Sequence, residues 1–447
     1  MRIMIVTDQY PPMVGGVPSV THGLAVDFVN RGHQVWVVAP SHGARDIRRM
    51  EQKVRVYRFS SFEWPTYKEL RIPFLPFAPV RNLIKRSDPD IIHIHSPLVL
   101  GNIAQLLAGG LRKPVIATNH YLPINMSRSL SADPLLGKPF SSIIYTYLVN
   151  FCNRCEYVTA PTATALNLLS EHGLHAPSAA ISNGIDLQKY SVGARNPQIL
   201  QQFGLPEDRP LVLHVNRLSE EKRVNVLLDA VAQMKTDAHI ALVSSGPAEA
   251  ELRAQVEALR IGDRVSFLGF VRDEDLLELR RSSELFVIPS EADLQSLATM
   301  EAMACGLPVI AANSYALPEL VHNDENGFLF TPGASDELAA HMDLLLADPD
   351  RRARMGQKSL EIISEHDRVK VLDVWEALYR RLSIEFKEMK VLRQHLRTAQ
   401  KYPGYMSEEV KDVKRPRIRR TGDLGFDQTS SPRRSRNSGT RKTPRDK

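Results

Sequence analysis

The segment from Val287 to Leu320, VIPSEADLQSLATMEAMACGLPVIAANSYALPEL, sets a strand, a loop, a helix and a second strand in immediate succession. Val287 and Ile288 close an apolar run that Pro289 ends, the loop carries Asp293, and Ala298 to Ala304 reads as helix. Gly306 and Pro308 stop that helix, since glycine accepts the left-handed turn beyond a helix end and proline cannot extend it. The next apolar run, VIAA, follows at once. Two strands joined through a helix are parallel neighbours in one sheet, and ligands of such sheets lie outside the carboxyl ends of the strands. Asp293 and Glu301 flank one of these ends, Glu301 one turn into the helix. At a helix start the backbone amides, here near Ser296, Leu297 and Ala298, have no acceptor within the helix and can face an anion.

The same alternation recurs along the chain. IMIVTD precedes a loop with Gly15 and Gly16, an amphipathic helix and then HQVWVVAP. PDIIHIHSPLVLG and PVIATNHYLPINM are two further buried strands whose polar ends carry His95 and then Asn119, His120 and Tyr121. In the second half LVLHVNRL ends at Arg217, Lys222 follows five residues later before another helix, and FLGFV ends a strand at Phe270 and Val271. A chain of 447 residues exceeds the roughly 250–300 residues that one core supports, so two α/β domains of similar size are expected. A dinucleotide fingerprint would place G-x-G-x-x-G directly after the first strand and an acid after the second; this chain has one glycine pair, and Pro40 and Ser41 close its second strand.

Composition narrows the function classes. Three cysteines in so long a chain form no disulfide framework, and the C-x-x-C of Cys152 and Cys155 lacks a second pair for a zinc site. Asp88-Pro-Asp90 and Asp348-Pro-Asp350 imitate a metal-binding D-x-D but sit where Asp and Pro make turns. No apolar run reaches the roughly 18 residues of a membrane span, and the amino terminus reads as a first strand rather than a signal peptide, so a cytoplasmic location is expected. From Lys387 to Lys447 there are 18 basic and 7 acidic residues, which makes that tail the source of the chain's net charge of +6. Rich in Pro, Ser and Gly from about Pro403, it is expected to be largely disordered and to suit an anionic membrane surface. With few aromatics to stack on bases, nucleic acid is a poorer fit.

These motifs together resemble the retaining GT-B glycosyltransferases of family 4 over about residues 1–385. The family's E-x7-E signature falls on Asp293 and Glu301, with Asp in place of the usual first Glu, and Ser296 stands where Gly is common. G-G-V-P-S-V resembles the family's amino-terminal loop, which puts Gly16 under the donor phosphate, and I-S-N-G-I-D resembles the segment that ends the first domain. The resemblance implies a GT-B architecture of two Rossmann-like domains facing across a cleft. The expected boundaries are 1–186 for the acceptor domain, 187–208 for a linker, 209–366 for the nucleotide-sugar domain, 367–386 for a helix crossing back, and 387–447 for the tail. It further implies that Arg217, Lys222 and the amides of Ser296, Leu297 and Ala298 hold the donor diphosphate, Glu301 the ribose, Phe270 and Val271 the base, Asp293 the sugar hydroxyls and His120 the sugar at its reacting carbon. Neither metal nor cofactor is expected, because Arg217 and Lys222 do a metal's work on the leaving group.

The implied partners are a nucleotide-diphosphate sugar of the UDP-glucose or GDP-mannose type and an acceptor on the first domain, with His95, Asn119 and Tyr121 as its candidate contacts. The segment H-x-P-x-x-L-G from His95 to Gly101 resembles lipid-modifying members, and Phe59 to Lys85 mixes aromatic with basic residues as a bilayer-facing surface does. A diacylglycerol or phospholipid acceptor is therefore expected. A soluble sugar, polysaccharide or metabolite acceptor, an epimerase on the same architecture, and an inactive GT-B scaffold are the alternatives. The scaffold reading rests on Asn216, Asp293 and Ser296 as departures from the family pattern.

Overall fold

Each near-continuous apolar run forms a strand covered on both faces, which is why its residues do not alternate in polarity. In β1 (Arg2–Val6), Ile3, Met4, Ile5 and Val6 are all fully buried. The structure, a computed structural model, describes residues 1–64, 67–123 and 134–401. The basic tail from residue 402 onward lies outside the described residues, as does part of the aromatic stretch between Tyr121 and Tyr147.

The first sheet is built from β1, β2 (Gln34–Pro40), β3 (Ile47–Glu51) and β4 (Val54–Phe59), then β7 (Ile91–Ile94), β8 (Val115–Thr118), β9 (Tyr157–Ala160) and β10 (Ser178–Ala180). Its order is β10-β9-β8-β7-β1-β2-β4-β3, and only β3 runs antiparallel to its neighbour. Between them β5 (Ser61–Trp64) and β6 (Tyr67–Pro73) form a separate antiparallel hairpin. The second sheet contains β11 (Leu211–Val215), β12 (His239–Val243), β13 (Val265–Gly269), β14 (Leu285–Ile288), β15 (Val309–Ala312) and β16 (Gly327–Phe330). It is parallel throughout, in the order β13-β12-β11-β14-β15-β16.

The two sheets make two Rossmann-like domains, each with a point where strand order reverses: between β1 and β7 in the first, between β11 and β14 in the second. Loops leaving neighbouring strands at such a point diverge to opposite faces and open a crevice between them. Across the resulting cleft a Cβ on Gly16, the first residue of helix Gly16–Asn30, would lie 3.9 Å from Leu297 of helix Leu297–Ala304.

Helix Arg368–Lys401 leaves the second domain and packs on the first, where Val371, Leu372, Trp375, Leu378, Tyr379 and Leu382 join a core with Ile3, Ile5, Val35 and Val37. Two segments add structure within the expected boundaries. The helix continues past Phe386, so residues 387–401 of the basic segment are helical; apolar Phe386, Met389 and Leu392 extend its period at three-residue steps. Within the expected linker, Pro197–Gln202 is a helix capped by the Asn196 side chain, and Ile199, Leu200 and Leu205 are buried in the second core. Among the described residues no helix is long and apolar enough to cross a membrane.

The motif look-alikes have structural surroundings. Cys152 and Cys155 are buried free thiols, and burial pushes the Cys152 thiol up to about 12. Asp88 ends a helix in the left-handed region and pairs with Arg2 and Lys113, while Asp90 accepts from the Arg2 amide at 2.9 Å. Asp348 caps helix Pro349–Ser364 by accepting from Arg351 N. No group of three or more His, Cys, Asp or Glu side chains among the described residues is placed to hold one ion.

Candidate active site

A cavity of about 250 Å³ lies between the two domains, against the crossing helix. His95, Thr118 and His120 come to it from the strand ends of the first domain, Leu297, Glu301 and Arg280 from the second, and Trp375 and Arg368 from the crossing helix. Parallel strands deliver their following residues to one edge of each sheet, so facing edges converge these groups however far apart they lie in sequence.

On the first-domain wall three imidazoles are in contact. His95 Nδ1 and His120 Nε2 are 3.0 Å apart with stacked rings, and the His93 and His95 ring centres are 3.9 Å apart. His93 continues the chain on both sides, to Tyr379 Oη and to Thr118 Oγ1, each at 2.6 Å. Burial holds all three below the ordinary imidazole range, His120 at about 4. At neutral pH each ring is therefore uncharged and able to donate from one nitrogen and accept at the other. The Nε2 of His95 is buried without a partner.

Of the other acceptor candidates, Asn119 is buried, and its side chain accepts from Tyr121 N and donates to Tyr121 O, which shapes the turn after β8. Tyr121 reaches Ser96 Oγ at 2.5 Å through its hydroxyl. Beside it the Asp8 carboxyl accepts from Leu100 N, and burial pushes it up to about 7.

In the second domain Lys222 and Asp293, to which separate tasks were expected, are ion-paired at 2.8 Å with most of each side chain buried. The loop of Asp293 is also tied to that of Lys222 through Glu291 N donating to Glu221 O. Arg217 is exposed at the end of β11. A Cβ on Gly246 would fall 2.1 Å from Leu218 O, so the turn after β12 packs directly on the backbone between Arg217 and Lys222. His214, fully buried in β11, donates from Nδ1 to Val287 O of β14 and pins the two strands at the reversal point. Burial holds its imidazole at about 4.

Ser296 caps helix Leu297–Ala304 by accepting from Thr299 N, which leaves Leu297 and Ala298 as the helix's first amides at the cleft. Glu301, one turn on, is ion-paired with buried Arg280. Phe270 and Val271 follow β13 and, like Gly16, Arg217, Lys222, Asp293, Ser296 and Ala298, lie outside the cavity lining, Phe270 exposed and Val271 buried. Sequence reading overlooked Arg280, Lys189, Tyr190 and Asp273, all of which line the cavity. The signal for Arg280 was present: it falls four residues after Leu276 and next to Leu279, on the apolar stripe of its helix.

Known proteins share this arrangement. Residues 14–189 match the family model described as Glycosyltransferase Family 4, and residues 196–361 match the model of Glycosyl transferases group 1. The chain belongs to this family of glycosyltransferases. It is 27% identical over 378 residues to an alpha-monoglucosyldiacylglycerol synthase of Streptococcus pneumoniae, covering 82% of this chain and 83% of that one. Over 393 residues it is 27% identical to an N-acetyl-alpha-D-glucosaminyl L-malate synthase of Bacillus anthracis, covering 85% of this chain and 97% of the other. Among solved structures, Anabaena HepE in complex with UDP and glucose superposes with a TM-score of 0.70 at 25% identity, over 85% of this chain and 99% of HepE.

Proposed function

We propose that the enzyme transfers a hexose from a nucleotide-diphosphate sugar to a membrane lipid, diacylglycerol or a phospholipid headgroup, with retention of the anomeric configuration and without a metal. The observation that carries the donor half is that Leu297 and Glu301 of helix Leu297–Ala304 face His95 and His120 across one cavity, with Gly16 close to Leu297 and Asp293, paired with Lys222, on the loop that leads into that helix. A diphosphate fits a helix start, and Lys222, held by Asp293, and Arg217 are the cations that offset the charge growing on the leaving group. Glu301 takes ribose hydroxyls, and neutral His120 reaches the sugar near its reacting carbon. The acceptor oxygen bonds to the anomeric carbon on the face from which the phosphate leaves, the carbon–phosphate-oxygen bond breaks, and the departing phosphate oxygen takes the acceptor's proton. The protein supplies position and charge stabilisation and no nucleophile of its own.

For the lipid acceptor the support is the hairpin surface. Phe62, Trp64, Phe74, Leu75 and Phe77 are exposed together on and after β5 and β6, with the Phe62 and Phe74 rings 5.5 Å apart. Helix Phe77–Ser87 continues the patch with exposed Arg81, Lys85 and Arg86 and no acid in the helix. Apolar rings beside cations suit the boundary between headgroups and acyl chains. The likeness to a diacylglycerol-directed synthase is in keeping with this; the likeness to a malate-directed one makes a soluble acceptor the rival. A panel of UDP- and GDP-sugars incubated with total membrane lipid should give nucleoside diphosphate release together with label in the lipid fraction. Release with label only in the aqueous fraction selects the soluble acceptor, and no release with any donor defeats the donor assignment.

A further inference from the structure

The wall of the cavity that carries Glu301 contains a second charged group. Arg280 projects from helix Asp273–Arg281, is 1% exposed and forms its ion pair with Oε2 of Glu301. Its guanidinium carbon lies 5.5 Å over the Tyr190 ring, and its Nε is buried with no partner. The pair is asymmetric: the Arg280 side chain is 2% exposed and that of Glu301 is 20% exposed, so the cation stands on the protein side and the carboxylate on the cavity side. Among the described residues no group donates to Oε1 of Glu301.

Stability alone gives little reason to place an arginine here. A buried ion pair pays a desolvation cost that an apolar pair of similar volume avoids, and this one also strands a buried Nε. What the pair does supply is geometry and charge balance. A guanidinium locked on one carboxylate oxygen fixes the orientation of the other, since the carboxyl is planar and the guanidinium itself is clamped between helix and ring. A paired carboxylate also repels a neighbouring diphosphate less than a bare one would.

We propose that Arg280 is a positioning residue for the donor's ribose: it holds Glu301 by Oε2 so that Oε1 faces the cavity as a fixed acceptor for ribose hydroxyls. The proposal rests on the reading of Glu301 as the ribose contact. It assigns Arg280 a task carried out through Glu301, and it makes a definite separation. Loss of Arg280 weakens ligands that possess a ribose and leaves untouched those that have only the diphosphate.

Calorimetric titration with UDP, GDP and inorganic pyrophosphate tests it. Arg280→Met should weaken the preferred nucleoside diphosphate by about tenfold or more, the usual scale of a charged hydrogen bond, with pyrophosphate affinity as in the parent. Arg280→Lys should recover part of the loss. In a Glu301→Gln background Arg280→Met should add nothing, because the residue acts through that carboxylate. Should Arg280→Met fail to fold, Arg280→Gln carries the same comparison. Equal weakening of nucleotide and pyrophosphate, or losses that simply add in the double variant, would overturn the positioning role in favour of a general structural one. If Glu301→Gln weakens the nucleotide while Arg280→Met does not, the proposal fails alone. If Glu301→Gln binds UDP and GDP like the parent, the ribose reading fails and the proposal with it.

Discussion

Lys222 and Asp293 form a single ion pair at 2.8 Å, so on the proposed reading a donor diphosphate that draws on Lys222 meets a cation already held by Asp293. Replacing Lys222 with Ala should lower turnover by about two to three orders of magnitude, the cost of deleting one preorganised group that stabilises developing charge. Circular dichroism should show the fold intact, and near-normal turnover would remove Lys222 from the reaction. The imidazoles give a second prediction. His120 is held at about 4 against 6.5 for a free imidazole, and His93 and His95 are also lowered. Between those values the unfolded chain binds protons that the folded chain refuses, so stability is intact above about pH 6.5 and falls as pH drops toward 4. Asp8, held at about 7, acts in the opposite sense, binding a proton in the folded state that the unfolded chain has lost. With His214 also held at about 4, the lowered imidazoles outweigh Asp8, and melting temperature should decline from pH 7 to pH 5. His95→Asn should flatten that decline and Asp8→Asn should steepen it. At this scale the sequence displayed the residues whose place follows from a strand end, such as His120, Lys222 and Glu301. It did not display partnerships: that Asp293 pairs with Lys222 and Arg280 with Glu301 depends on how separate loops and helices meet.

Elements are positioned by close approaches as much as by side chains. Gly246 is the clearest case, because its Cα sits against the backbone of Leu218, in the loop that carries Arg217 and Lys222. Gly246→Ala would place a methyl 2.1 Å from Leu218 O, and the three nearest atoms, O, C and N of Leu218, are all main chain and cannot rotate away. The expected outcome is a loss of about 1–3 kcal/mol in denaturant unfolding, the range for overpacking. Donor affinity should fall as well, because the displaced loop bears the cations. Unchanged affinity beside reduced stability would show that the loop relaxes independently of its cations. Strands buried on both faces and helices bounded by Gly and Pro were legible, since the apolar runs and their stops are local signals. The hairpin of β5 and β6 was not, for Pro65 and Pro73 break its pattern and its partner strand is what makes it a strand. Pro197–Gln202 was hidden likewise by the polar residues around Ile199 and Leu200.

The whole molecule is held across its cleft by the helix Arg368–Lys401, which begins at the second domain and completes the core of the first. Arg368 pairs with Asp27, Glu376 meets His33 and Arg31, and the Lys387 amine approaches Asp90. These partly exposed pairs contribute little each; the apolar face does more. Trp375 is 4% exposed, its ring lies 4.7 Å from that of His93, and Tyr379 on the next turn bonds to His93 itself. The crossing helix therefore reaches the imidazole chain that ends at His120, so domain arrangement and site geometry share one contact. An amphipathic period at 369–386 was enough to foretell a packed helix, but nothing local could say which residue of the first domain it would touch. Trp375→Ala should cost about 3–5 kcal/mol of stability, as large aromatic deletions in cores do. If the contact also sets the site, the variant, assayed well below its reduced melting temperature, should lose turnover beyond its loss of folded protein. Trp375→Phe, which keeps an aromatic ring against His93, should restore turnover more fully than stability; recovery of both in the same proportion would mean that the helix supports the first domain without shaping the site.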